Sequence, residues 1–363
     1  MTKKFISILA SGTGGHVYPA YTVAMEFIEK GYEIIWIGTE KGIENKVVNS
    51  DSIIIENISS TGIRGKPFFK KIIGILYLFK SIFEAYKIIK KYKPKLTIGF
   101  GGYVSLPGVI ISYLFRIPVI IHEQNSIAGT ANKINYFFSK KVFETFPDSF
   151  NKSNEKITHS GNPIRKIFLN LEKPEEKYLS QKSFLNILIL GGSQGSDFFN
   201  TTLPFVFSYF HNQNILIKHL SGIDNLKQVG ERYKKYGINA TVFEYAENID
   251  TLYDWANLII CRSGSTTLSE ISKIGRAVIL VPFPYATDNH QFYNASYLAN
   301  QSACILIEQG DSFVENFVNT INIVLNDQKR MYTLSKNIQD IFPIDAERII
   351  IEKSIELMKV NDE

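Results

Sequence analysis

Cysteine is scarce in this chain, with only Cys261 and Cys304 in 363 residues. Two thiols cannot build a disulfide framework, and their spacing is not that of metal ligands. They read as small buried hydrophobes in a reducing cytoplasm. Long apolar runs are missing too: nothing approaches the ~20 residues that span a bilayer. The opening Met1-Thr2-Lys3-Lys4 is followed by six mostly apolar residues, Phe5 to Ala10. That is shorter than the ~7–15 residues of a signal-peptide core, and a Gly-rich turn follows, so the segment reads as a first β-strand. Charge of one sign is in short supply as well. A net charge of +5 is mild, and no nucleic-acid partner is expected from it. Low-complexity tracts and fine repeats are absent. Three motifs are also lacking: the dinucleotide fingerprint G-x-G-x-x-G, the P-loop G-x-x-x-x-G-K-[ST], and Asp-x-Asp. A dehydrogenase should further show an acidic residue about 20 residues beyond its glycines. Glu40, inside a Gly38-Thr39-Glu40-Lys41-Gly42 loop, matches that poorly.

What is present is an alternation. Apolar residues make up 45% of the chain, enough for ordinary globular cores. Short β-branched runs at 5–10, 33–37, 96–98, 119–121 and 141–143 are separated by helical patterns. Near-continuous apolar strands of this kind suit parallel sheets buried on both faces. The pattern breaks across a polar stretch, 151–183, and restarts at 184–190, 215–220, 241–243, 258–260 and 278–281. The expected class is therefore α/β, with two doubly wound units. One spans 1–162 and the other 163–340, and residues 341–363 supply a helix that returns to the first.

Three glycine-rich loops stand directly after expected strands: Ser11 to His16, Gly99 to Tyr103, and Gly191 to Ser196. Glycine permits positive φ and a close backbone approach, and a helix starting just beyond presents N–H groups to an anion. A tight turn needs glycine for geometry alone, so each loop by itself is ambiguous; three in the same context point to phosphate. A fourth loop, Cys261-Arg262-Ser263-Gly264-Ser265-Thr266-Thr267-Leu268-Ser269-Glu270, admits two readings. Thr267 and Glu270 have capping-box spacing. The same geometry would hold a diphosphate with hydroxyls and helix N–H groups, and a ribose diol with the carboxylate one turn further in.

Taken in order, these segments resemble the MurG family of peptidoglycan N-acetylglucosaminyltransferases, family-28-type members of the GT-B superfamily. The resemblance rests on Gly12-Thr13-Gly14-Gly15-His16-Val17-Tyr18-Pro19, Gly101-Gly102-Tyr103-Val104-Ser105 and His122-Glu123-Gln124-Asn125-Ser126. It continues through Gly161-Asn162-Pro163-Ile164-Arg165, the Gly191 loop, the Arg262–Glu270 loop, and Val281-Pro282-Phe283-Pro284 with Asp288-Asn289-His290-Gln291. Ser265, Thr266 and His290 depart from what relatives often carry.

The resemblance implies two Rossmann-like domains facing a cleft, and inverting transfer of GlcNAc from UDP-GlcNAc to undecaprenyl-linked lipid I. No cofactor or metal is implied. For the donor it implies Thr13, Gly14, Gly15, Asn125, Arg165, Ser193, Ala246, Ser265, Thr266, Thr267, Leu268, Ser269, Glu270 and Gln291. For the acceptor diphosphate it implies Gly14, Gly15, Gly101, Gly102 and Tyr103. His16 is the first candidate base, since imidazole titrates near pH ~6.5; it could instead shape its loop or bind phosphate. Glu123 is the second candidate, and could equally orient Asn125. His122, His159, His211 and His219 read as structural or adjacent. Runner-up readings are a UDP-GlcNAc 2-epimerase, a diacylglycerol glycolipid synthase, and a nucleotide-binding regulatory module.

The densest basic stretch, 66–93, interleaves lysines with Phe68, Phe69, Ile72, Ile75, Leu76 and Phe79. Together with Lys70 and Lys71 these suggest an interfacial helix or a core helix with a basic edge. A lipid-linked acceptor favours the first. It implies a peripheral protein at the cytoplasmic face of the cell membrane, with anionic lipids and other cell-wall synthesis proteins as partners.

Overall fold

The structure, a computed structural model, describes residues 4–60, 68–168, 171–179, 184–192, 195–339, 341–343 and 345–362. Within helices, the side chains at 68–73, 75, 328, 361 and 362 fall outside that description. The chain forms two compact units, Met1–Arg165 with Pro343–Glu363, and Lys166–Phe342.

In the first unit the elements run β1 (Phe5–Leu9), α1 (Gly14–Glu29), β2 (Glu33–Gly38), α2 (Glu44–Val47), β3 (Ile53–Asn57) and α3 (Phe68–Tyr92). They continue through β4 (Leu96–Gly99), α4 (Ser105–Leu114), β5 (Val119–Glu123), α5 (Thr130–Phe138), β6 (Lys141–Glu144) and β7 (Ile157–His159). All strands pair in parallel, in the order β3-β2-β1-β4-β5-β6-β7. Alternate residues of a strand face opposite sides of its sheet, and both sides are covered here. Ile34 and Trp36 of β2 join a core with Val17, Ala20, Ala24 and Phe27 of α1. Ile35 and Ile37 join another with Ala85, Ile88 and Ile89 of α3 and Val109 and Ile111 of α4. This two-sided burial explains why the strands carry no polar alternation. Each fully buried large side chain stabilises by about 1.5–3 kcal/mol.

The second unit runs α6 (Pro174–Leu179), β8 (Leu185–Leu190), α7 (Asp197–Phe207), β9 (Ile215–Leu220), α8 (Leu226–Lys235), β10 (Ala240–Phe243) and α9 (Ile249–Trp255). It continues through β11 (Leu258–Cys261), α10 (Ser265–Ile274), β12 (Ala277–Leu280), α11 (His290–Asn300), β13 (Ile305–Leu306), α12 (Phe313–Asn326) and α13 (Gln328–Gln339). Its sheet is parallel throughout, ordered β10-β9-β8-β11-β12-β13. Helix α14 (Ala346–Asp362) packs on α1, and its Ile350, Ile351 and Met358 belong to the first unit's core.

Three strands, β3, β7 and β13, are absent from the sequence-based expectation. Each ends its sheet, where half of the pairing is missing and burial is only intermediate or less. The stretch expected to be an irregular break holds both β7 and α6. Both cysteines are buried and unpaired. Among the described residues no helix is long and apolar enough to cross a membrane, and no cluster of metal-ligating side chains occurs.

Candidate functional site

In both sheets the strand order reverses about the first strand of the unit, between β1 and β4 in one and between β8 and β11 in the other. In open α/β sheets, ligands bind at the carboxyl ends of the strands flanking such a switch point. The glycine loops stand there, after β1, β4, β8 and β11.

In the first unit, the Thr13 side chain does not cap α1, while its carbonyl accepts from the N–H groups of His16 and Val17. His16 is half-buried on the first turn. Gly101, at φ +91°, leaves room for it, since a Cβ there would lie 3.2 Å from the imidazole Cε1. His16 Nδ1 is 2.9 Å from Gln124 Oε1. Gln124 Nε2 is in turn 3.0 Å from His122 Nδ1, and His122 Nε2 is 3.0 Å from the Gly161 carbonyl. His122 is fully buried, which pushes it down to about 4. Gly14, Gly15, Gly101 and Gly102 line these loops, with Tyr103 half exposed beside them.

Glu123 is buried at the end of β5. Its carboxylate accepts from the N–H of Asn125 (3.0 Å), the N–H of Gly129 (3.0 Å) and Asn132 Nδ2 (2.9 Å). A carboxylate with its lone pairs so committed organises the loop. Its hold on the Asn125 N–H matches the orienting role expected of Glu123 beside that of second base. Arg165 lies with its guanidinium carbon 4.8 Å from the Tyr18 ring centroid, within the first unit.

In the second unit the loop after β8 leads into α7, whose N-cap Ser196 accepts from Phe199 N–H at 3.3 Å. Ser193, expected here to meet a phosphate oxygen, lies outside the described residues. Helix α10 begins at Ser265 with Gly264 as N-cap and no side-chain cap. The capping box of Thr267 and Glu270 is thus not formed, because Thr267 is already inside the helix. Leu268 is fully buried and its N–H donates to the Gly264 carbonyl, so its side chain offers nothing to a polar ligand. The Ser269 hydroxyl donates to the Ser265 carbonyl. Glu270 is buried one turn in and accepts from the Tyr253 hydroxyl at 3.3 Å. Gln291 Oε1 accepts from Phe283 N–H at 3.0 Å, which ties the loop after β12 to α11. Ala246 sits half-buried between β10 and α9.

Sequence reasoning missed Arg262. Its guanidinium is buried, and donates to Ser196 Oγ, the Val281 and Pro282 carbonyls and Gln309 Oε1. Burial lowers it to about 10, still charged at neutral pH. The unit's other buried arginine, Arg276, is paired with Asp254 at 3.1 Å. Arg262 has no carboxylate within ion-pair distance among the described residues, and an uncompensated buried charge is costly. A bound anion near the Ser196 N-cap would supply the missing counter-charge.

Known proteins resemble this chain over nearly its whole length. The descriptions "Glycosyltransferase family 28 N-terminal domain" and "Glycosyltransferase family 28 C-terminal domain" match residues 6–144 and 186–348. A curated UDP-N-acetylglucosamine–N-acetylmuramyl-(pentapeptide) pyrophosphoryl-undecaprenol N-acetylglucosamine transferase from Pseudomonas syringae is 36% identical over 354 residues, 97% of this chain and 98% of its own. The Haemophilus ducreyi protein of the same description is 38% identical over 335 residues, 91% and 92% of the two chains. Among solved structures, Acinetobacter baumannii MurG superposes with a TM-score of 0.82 at 29% identity, covering 97% of this chain and 99% of that one.

Proposed function

The chain belongs to glycosyltransferase family 28, and on that premise we propose how its residues divide the work. The enzyme is an inverting N-acetylglucosaminyltransferase that converts lipid I to lipid II with UDP-GlcNAc as donor. The observation that carries the division is the pair of switch-point loop sets, one in each unit. The second unit holds the donor. Its Gly191 loop and the α10 N-terminus take the diphosphate, Arg262 adds positive charge behind Ser196, and Glu270 accepts from the ribose hydroxyls. The first unit holds the acceptor, with its diphosphate at the loops after β1 and β4. The acceptor 4-hydroxyl oxygen bonds to the anomeric carbon as the bond to UDP breaks. The electron pair leaves with the β-phosphate, and the hydroxyl proton passes to His16. Positive helix ends favour the departing anion. Purified protein mixed with UDP-GlcNAc and a short-chain lipid I analogue should release UDP; no release would refute the activity.

Glu270→Gln should leave the fold intact and weaken UDP about tenfold or more, because a lost charge-assisted hydrogen bond costs ~1.5–3 kcal/mol. Calorimetric titration reads this directly, and an unchanged Kd would remove Glu270 from the ribose site.

The exposed face of α3 supports peripheral docking on anionic membranes. Leu76, Phe79 and Phe83 follow at one-turn spacings and are 64%, 67% and 57% exposed. Glu84 turns inward instead, accepting from the N–H and hydroxyl of Ser59. Phe115, against Tyr86, and Leu114 on α4 extend the apolar surface. Lys87 lies 4.5 Å over the Phe83 ring, and exposed Lys80 flanks the stripe. Apolar patches ringed by cations suit a lipid interface. The side chains of Phe68, Phe69, Lys70, Lys71, Ile72 and Ile75 fall outside the description. Binding to anionic vesicles should fall as salt rises, and drop sharply in Leu76→Glu and Phe79→Glu. Folded variants that sediment with vesicles as well as wild type would place the docking surface elsewhere.

A further inference from the structure

We propose that Gln124 is a positioning residue for the transfer: a hydrogen-bond chain from Gly161 through His122 and Gln124 holds His16 with its hydrogen on Nδ1 and its lone pair on Nε2. This rests on the reading of His16 as the base. The direction of the chain follows from its far end. The Gly161 carbonyl can only accept, so the hydrogen of His122 is on Nε2. A fully buried imidazole pushed down to about 4 is neutral at neutral pH and carries no second hydrogen. Its Nδ1 is therefore an acceptor, and the group 3.0 Å away must be the amide nitrogen of Gln124. The same nitrogen lies 3.3 Å from the His122 carbonyl, a second pure acceptor, so the reversed amide would set oxygen against oxygen. With its nitrogen so placed, Gln124 turns Oε1 towards His16, and the 2.9 Å contact requires a hydrogen on His16 Nδ1.

The anchor has no room for a side chain. Gly161 holds φ +77°, and a Cβ there would lie 2.8 Å from the Pro343 carbonyl. On the other side, only glycine at 101 leaves the His16 ring its place, since a Cβ there would lie 3.2 Å from the imidazole Cε1. The consequence is chemical. A free neutral imidazole in water favours the hydrogen on Nε2, which would leave that nitrogen unable to accept a proton. The chain reverses the preference before substrate arrives, and no protein group pairs with His16 Nε2 among the described residues. The hydroxyl proton then has one place to go.

Nitrogen-15 spectra of the full-length protein, labelled at histidine and recorded at neutral pH, test this. Wild type should show His16 with Nδ1 protonated and Nε2 bare, and His122 the reverse. Gln124→Leu should let His16 drift towards the Nε2–H form and lower kcat about 10–100-fold with KM for UDP-GlcNAc unchanged. Gln124→Glu keeps an acceptor before Nδ1 and should hold the His16 hydrogen there, but its second oxygen faces the His122 carbonyl and Nδ1, so kcat should recover only in part. A wild-type His16 with its hydrogen on Nε2, or a tautomer unmoved by Gln124→Leu, overturns the proposal. Normal kcat in His16→Ala would instead overturn the reading of His16 as the base.

Discussion

Replacing His16 by alanine is expected to lower kcat by about 10²–10⁴ while the Kd for UDP stays within a few-fold of wild type. The size follows from what is removed. A positioned general base contributes in the transition state, as the acceptor hydroxyl loses its proton, and little to donor binding in the ground state. The ring lies in the first unit, and the residues proposed for UDP lie mainly in the second, so titration with UDP serves as an internal control. Single-turnover transfer to a short-chain lipid I analogue gives the chemical step. The competing role leaves a different signature. If His16 only shapes its loop or binds acceptor phosphate, His16→Ala will show near-normal kcat and a raised KM for the acceptor. That outcome would remove the base from His16.

The second large effect is expected at Gly195. This residue holds φ +79°, and a Cβ would lie 2.1 Å from the Ser221 carbonyl oxygen, a backbone atom that cannot rotate away. Gly195→Ala must strain the left-handed backbone, at roughly 1–2 kcal/mol. It must also part the loops after β8 and β9, with an overpacking cost of about 1–3 kcal/mol. The second unit should then melt ~4–20 °C lower, at about 2–4 °C per kcal/mol for a unit of this size. UDP affinity should fall with it, because the displaced loop is the one proposed to hold phosphate. Gly230 supplies the control: a Cβ there meets nothing within 4 Å, and alanine in a helix should stabilise by roughly 0.5–1 kcal/mol. Calorimetry of the three proteins decides the matter. A Gly195→Ala protein as stable as wild type would mean that the Ser221 contact is not a constraint.

The central strands were legible because burial on both faces leaves an unbroken apolar run, as at 34–37 and 258–260. Three of the four edge strands were not, since a strand such as Ile157–His159 has one neighbour and only half-buried side chains. The glycine loops could be located from their place after strands. Their internal bonding could not, as the unrealised capping box at Thr267 shows. Whether that box or Gly264 starts α10 depends on a difference of one cap, which is worth only about 1 kcal/mol. The partners of Gln124 were beyond reach for another reason. The chain that orients His16 needs a carbonyl 39 residues from His122 and a histidine 108 residues from Gln124. No local period encodes such distances. Arg262 was in plain view within its motif, but its significance lies in a missing carboxylate, and a missing neighbour has no sequence signature. Glu123 shows the converse: both of its readings were visible, and only the structure shows the Asn125, Gly129 and Asn132 groups that its carboxylate holds.

Helix α14 adds a constraint on the order in which the molecule can be made. Its Ile350, Ile351 and Met358 belong to the core built on β1, β2 and α1, yet they are translated only after the whole of Lys166–Phe342. A nascent chain can therefore complete the second unit while the first still lacks part of its wall, leaving Phe27 and its neighbours exposed to solvent or to a chaperone. Loop-closure entropy grows only slowly with the length of the insert, so the finished fold loses little stability. The delay is kinetic, and it makes the first-born residues the last to settle.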